Sequence, residues 1–198
     1  LRNQQYSDRH SIIRPEKFGI DLVIHPENVV CEEITQLVRH PYASHYMEFE
    51  GGRLHMMGLR VNGNSKLTGK SVKEFCENCD GFKVGIVAVT RKKETTIPWG
   101  DFVFEEKDTI FFIFESHTLH LLLGLLEIPE TGSNRVMILG GSKIGRSLAE
   151  SLQEEMSVRL VEINREKAEK IANNLEHTMV INSDGTDIDF LKSENIQD

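Results

Sequence analysis

The chain has 198 residues, enough for one large or two small domains, with 39% hydrophobic and 27% charged side chains. Its net charge of −8, without a Lys/Arg-rich stripe, argues against a nucleic-acid partner. No apolar run approaches the roughly 18 residues of a membrane span, and no signal-peptide pattern opens the sequence.

Residues 1–44 read as the end of a domain, and the absence of an initiator methionine suggests a piece of something longer. Phe18-Gly19-Ile20-Asp21 is a turn, Leu22-Val23-Ile24 a short buried strand and Pro26 a break. Glu27 to His40 is an amphipathic helix with Val30, Ile34, Leu37 and Val38 on one face. Glu27, Glu32 and Glu33 fall in its early turns, where the helix dipole favours acids. His40-Pro41 stops it. Such a stripe must pack on something, either a second copy or the next domain.

Residues 46–127 form a small α+β domain with an open sheet. Leu54 to Val61 is a strand ending at Asn62-Gly63-Asn64, and a short helix runs from Ser71 to Asn78 with Val72 and Phe75 inward. Val84 to Arg91 is a strong strand, turned through Lys92-Lys93-Glu94 into Thr95-Thr96-Ile97. Pro98 to Asp101 is a loop, Glu106-Lys107-Asp108 a turn, Thr109 to Phe114 the last strand and His117 to Leu126 the closing helix. Pro129 to Ser133 is a linker.

Three cysteines, Cys31, Cys76 and Cys79, suggest a reducing compartment. Cys76 and Cys79 make a C-x-x-C, which could bind zinc or act in redox chemistry. Zinc needs a second ligand pair, and none is evident. Redox use favours a helix start, whereas this pair lies inside a helix. His117 and His120 share a helix face but have no carboxylate or cysteine partner in the pattern. No metal site is expected.

Residues 134–198 carry the most specific pattern. Val136 to Leu139 is a buried strand running into a glycine turn. Gly140, Ser142 and Gly145 occupy the three glycine positions of the dinucleotide fingerprint, with serine in the middle. The first glycine makes the turn, the second admits a pyrophosphate, and the third packs helix on strand; N–H groups of the helix start would hold the anion. The helix follows with Ile144, Leu148 and Leu152 inward, then the strand Val158 to Val161. Glu162 closes that strand, 22 residues after Gly140, near the roughly 20-residue offset of a ribose-binding acid. A helix from Arg165 to Leu175, with Ala168, Ile171, Ala172 and Leu175 inward, leads to a third strand, Thr178 to Asn182, and a helical start. This is half of a Rossmann-like α/β unit. No nucleophile elbow, lysine-bearing phosphate loop or paired carboxylates appear, so no catalytic residues are assigned. A fragment of an NAD-dependent oxidoreductase remains an alternative, although its substrate site would lie downstream.

The ordered segments Gly19 to Ile24, Ser65-Lys66-Leu67-Thr68-Gly69-Lys70-Ser71, Ala88-Val89-Thr90-Arg91, Ile97-Pro98-Trp99-Gly100-Asp101 and Lys107-Asp108-Thr109 resemble the TrkA family. The resemblance implies an RCK-C (TrkA-C) domain at 46–127 between Rossmann-like RCK-N (KTN) halves, the end of one at 1–44 and the start of another at 134–198. It implies a non-enzymatic cytoplasmic subunit, peripheral on the inner face of the plasma membrane. Such a subunit would be a homo-oligomer, at least a dimer, gating a membrane-embedded potassium transporter of the TrkH/TrkG type; the same module also occurs fused to a potassium channel or cation antiporter. The implied cofactor is NAD(H) or ATP/ADP. Gly140, Gly141, Lys143, Ile144 and Gly145 match the family's phosphate-binding turn, Glu162 its ribose-binding acid, and Ser183-Asp184-Gly185-Thr186-Asp187 its Gly-Asp-Gly-Thr-Asp segment near the adenine. Ser142 and Ser183 depart from family glycines. Glu162 would disfavour the 2′-phosphate of NADP.

Overall fold

A computed structural model describes residues 19–21, 24–63, 65–79, 81–129 and 134–194. Two compact units divide the chain, one of residues 35–133 and one of residues 134–198 with 1–34. The expected strand at Leu22-Val23-Ile24 lies largely outside the described residues; Ile24 itself is exposed and not in a strand.

The first helix, α1 (Pro26–Arg39), begins at the proline read as a break. Proline is favoured in a first helical turn because its missing N–H has no helical partner there. The buried positions are Cys31 and Thr35, while Val30 is exposed at 39%. The expected apolar face is therefore rotated: Ile34, Leu37 and Val38 are half-buried, and Val30 is not part of it.

In the unit of residues 35–133, five antiparallel strands are ordered β1-β2-β5-β3-β4, with β1 (His45–Phe49), β2 (Leu54–Arg60), β3 (Val84–Arg91), β4 (Glu94–Thr96) and β5 (Thr109–Glu115). Central β5 buries Ile110, Phe112 and Phe114 and leaves Thr109, Phe111, Ile113 and Glu115 half-buried, the period of two that puts one face on the core. Opposite it lie α2 (Val72–Glu77) and α3 (Leu119–Leu126), the latter preceded by a 3-10 turn at Ser116–Thr118. Ser71 and Glu74 close α2 with reciprocal bonds: Glu74 N–H donates to Ser71 Oγ at 3.2 Å, and Ser71 N–H to Glu74 Oε2 at 2.7 Å. Met57, Phe104, Phe112, Leu122 and Leu123 are essentially sealed from water, each such side chain contributing about 1.5–3 kcal/mol on transfer.

Strand β1 was not expected. It pairs with β2 from His45 opposite Gly58 to Phe49 opposite Leu54, and Tyr46 is its one buried residue. Tyr46 is held on both sides. Its ring stacks on His40 at 3.8 Å between centroids, and its hydroxyl lies 2.9 Å from His55 Nδ1. His55 Nε2 is 2.9 Å from the Gly52 carbonyl, which can only accept. Nε2 therefore carries the ring proton and the Tyr46 hydroxyl donates to Nδ1. The Lys92-Lys93 turn joins β3 to β4 with both residues at positive φ, 50° and 73°, the type I′ geometry that matches strand twist. Arg91 grips Asp108 with two bonds of 2.8 and 2.7 Å and reaches Glu105 at 2.6 Å, tying the end of β3 to the start of β5.

In the other unit, β6 (Arg135–Leu139), β7 (Ser157–Glu162) and β8 (Thr178–Asn182) form a parallel sheet in that order. The crossovers contain α4 (Lys143–Leu152) and α5 (Arg165–Ala172), and α6 (Ile188–Ser193) follows β8. Central β7 buries Val158, Leu160, Val161 and Glu162. Leu148, Ala149 and Leu152 of α4 and Ala168 and Ile171 of α5 complete the core. Ala172, expected inward, is the last residue of α5 and is exposed. No helix among the described residues is long and apolar enough to cross a membrane.

Candidate functional site

The glycine turn sits where β6 ends and α4 begins. Gly140 has φ of +102°, a conformation that L side chains rarely adopt, and its N–H donates to the Val161 carbonyl at 2.8 Å. A Cβ at Gly145 would lie 2.2 Å from the Gly140 carbonyl oxygen. Only glycine lets α4 approach the strand that closely. The first and third fingerprint positions therefore do what the sequence pattern requires of them.

The serine in the middle is accommodated without strain. Ser142 is the N-cap of α4, with φ −60° and ψ 175°, and its Oγ accepts the Gly145 N–H at 3.2 Å. It satisfies a helix-start donor that would otherwise have no partner. Ser142 is exposed, and Lys143 and Ile144 are half-buried.

Gly141 plays a part that the fingerprint does not assign. A Cβ there would stand 2.3 Å from Ile171 Cδ1 and 2.9 Å from Glu162 Oε2. The Gly141 N–H donates to that same oxygen at 3.0 Å. Glu162 is buried at the end of β7, where it also accepts from the Asn164 N–H at 3.0 Å and from Lys167 Nζ at 2.5 Å. The Lys167 ammonium, followed by the Asn164 N–H, holds the Glu162 carboxyl below the usual carboxylate range. Glu162 thus pins the glycine turn to α5. Lys167 is a partner of this carboxylate that the sequence reading missed, although its position, five residues on and in the first turn of α5, was visible.

Beyond β8, Asp184 is exposed, and its Oδ1 accepts the Thr186 N–H at 2.9 Å and the Thr186 hydroxyl at 2.7 Å. These bonds lower its pKa. Gly185 packs on Leu139: a Cβ at that glycine would fall 3.2 Å from Leu139 Cδ2. Because Leu139 immediately precedes Gly140, the Asp184 loop reaches the same edge of the sheet as the turn. Asn182 Nδ2 donates to the Glu162 and Ile163 carbonyls at 2.8 and 2.9 Å, fixing the loop's root beside Glu162. The turn, the buried acid and the Asp184 loop therefore converge at the C-terminal ends of β6, β7 and β8, where open α/β sheets bind ligands. Among the described residues no group of three or more His, Cys, Asp or Glu side chains could hold a metal ion.

Comparison with known proteins gives a consistent result. The TrkA-C domain family matches residues 56–126 and the TrkA-N domain family residues 136–198. Over all 198 residues the chain is 31% identical to the Trk system potassium uptake protein TrkA of Halomonas elongata, and over 197 residues 28% identical to that of Vibrio alginolyticus. A Trk system potassium uptake protein TrkA homolog of Archaeoglobus fulgidus is 31% identical over 197 residues. The chain spans 43% of the first two relatives and 44% of the third. Among solved structures, the GsuK RCK domain superposes with a TM-score of 0.55 at 18% identity, covering 91% of this chain and 38% of that one. The GsuK channel bound to NAD gives the same score at 19% identity, covering 91% and 32%. These two structures share the fold.

Proposed function

The chain belongs to the TrkA family, and on that premise we propose that it is part of a cytoplasmic regulatory subunit that binds NAD(H) or an adenine nucleotide and thereby gates potassium uptake. The observation that carries this reading is the convergence of the Gly140–Gly145 turn, Glu162 and the Asp184 loop at one sheet edge. N–H groups at the start of α4 face the position of a pyrophosphate, Glu162 that of the adenosine ribose, and Asp184 that of the adenine side. The ends of these three parallel strands suit the adenosine diphosphate half of a dinucleotide. The reading is non-enzymatic: the site binds and reports, and its partner is a TrkH/TrkG-like membrane-embedded transporter subunit above a homo-oligomer of the regulator. The NAD-bound GsuK channel supports nicotinamide dinucleotide over other ligands as the first to try.

Gating follows only if the nucleotide binds one arrangement of the assembly better than another. Calorimetry of the wild-type chain against NADH, NAD, ATP, ADP and NADPH tests the binding half of the proposal. The nucleotides without a 2′-phosphate are expected to bind, with NADPH weaker. Glu162→Gln, which keeps a hydrogen-bond acceptor but no charge, should lose about ten- to a hundredfold in affinity. No heat from any nucleotide at millimolar concentration would refute the site.

A further inference from the structure

We propose that Cys76 and Cys79 form a reversible dithiol–disulfide site that reacts with low-molecular-weight disulfides, independent of the glycine turn. Both cysteines line one cavity of about 470 Å³ in the antiparallel unit, together with Leu54, Lys83 and Ile113. Pockets of this size hold small molecules.

The backbone places the two thiols for bridging. Cys76 lies in the last turn of α2, and the Cys79 N–H donates to the Cys76 carbonyl at 3.1 Å, closing a four-residue turn. Such a turn holds its end Cα atoms within about 7 Å, inside the range that a disulfide spans. Their environments divide the work. Cys76 is exposed, whereas Cys79 is half-buried and its S–H donates to the Phe75 carbonyl at 3.3 Å. Cys76 is therefore the entry thiol and Cys79 the resolving one. Leu54 and Ile113 offer apolar surface for the stem of a small disulfide, and the Lys83 ammonium suits a carboxylate on it. A metal is the poorer fit, since no third ligand stands with the pair among the described residues.

The chemistry balances in two exchanges. The Cys76 thiolate attacks one sulfur of R–S–S–R; the Cys76–S–R bond forms, the small disulfide's S–S bond breaks, and one RS⁻ leaves and takes up a proton. Cys79 then loses its proton to water, and its thiolate attacks Cys76 Sγ. The Cys76–Cys79 bond forms and the second RS⁻ leaves and is protonated. The pair gives up two electrons, and the small disulfide becomes two thiols. Oxidation necessarily removes the S–H that bonds the Phe75 carbonyl. The Phe75 ring is buried against Phe112, 5.5 Å between centroids, so the exchange is felt in the core of the unit. Disulfides of this kind in a reducing compartment are transient and sensory.

Glutathione disulfide added to the full 198-residue chain tests this. Alkylation quenches the reaction, and cleavage after Lys73 and Lys83 releases both cysteines in one peptide, read by mass. The wild-type peptide is expected to lose two hydrogens. Cys79→Ser should accumulate a peptide heavier by one glutathione at Cys76, and Cys76→Ser should remain unmodified over the same time. A lasting glutathione adduct on the wild type, equal adducts on the two variants or no reaction would each overturn the proposal. So would equal rates in the folded chain and in denaturant, because the pocket would then contribute nothing.

Discussion

Gly141→Ala is the sharpest test of how the glycine turn is built. The added Cβ would lie 2.3 Å from Ile171 Cδ1 and 2.9 Å from Glu162 Oε2. Ile171 is 2% exposed and has little room to rotate; Glu162 is held by three donors. Overpacking of this kind costs about 1–3 kcal/mol. The backbone at Gly141 is not left-handed, so alanine also gains about 0.4–1 kcal/mol by restricting the unfolded chain. The net expectation is a loss of about 1–2 kcal/mol. Ile171→Val removes the obstructing Cδ1 and on its own costs about 0.5–1.5 kcal/mol. With valine at 171, Gly141→Ala should cost about 1 kcal/mol less than in the wild type, the coupling expected of residues in contact. Urea denaturation of the four proteins by circular dichroism measures the cycle, with amide exchange in β7 isolating the Rossmann-like unit. A Gly141→Ala chain as stable as wild type, or a strictly additive double variant, would refute the packing argument.

Two further outcomes follow from the antiparallel unit. Lys92 and Lys93 both sit at positive φ, a conformation that costs an L residue about 1–2 kcal/mol; Lys92→Asn with Lys93→Gly should therefore raise stability by about 1 kcal/mol, seen as a higher urea midpoint, and an unchanged midpoint would contradict the turn assignment. Burial above all holds the His40 pKa below its ordinary 6.5, so the unfolded chain takes up a proton more readily than the fold; stability should decline as pH falls below about 6.5 toward the folded value, and His40→Phe should flatten that decline.

The parts of the chain legible in the sequence were those whose signal is local. The run Val158 to Val161 is largely apolar because β7 is the central strand of a parallel sheet. The Gly140 and Gly145 roles could be read because each follows from backbone sterics alone. Strand β1 was hidden because one residue, Tyr46, faces the core, so His45–Phe49 shows no alternation. Its pairing with β2 supplies the strand, and Gly51-Gly52 between the two segments was the signal that could have found it. The register of α1 failed for a related reason: Cys31 and Thr35 are small and semi-polar, and a hydrophobic count passes over them in favour of Val30. At the site, the spacing of Glu162 from the turn was visible, but its partners Lys167, Asn164 and Gly141 come together only through the β7–α5 junction.

The Ser142 cap and the Glu162 bonds together fix the shape of the turn through the chain's own groups. On the proposed reading, a nucleotide there would have to trade partners with these bonds. The trade falls on the Glu162–Lys167 pair, whose lysine is 45% exposed. Whatever affinity the ribose contributes is then a difference between two bond sets. Any message passed onward would begin with an ammonium group released from its carboxylate on the surface of α5.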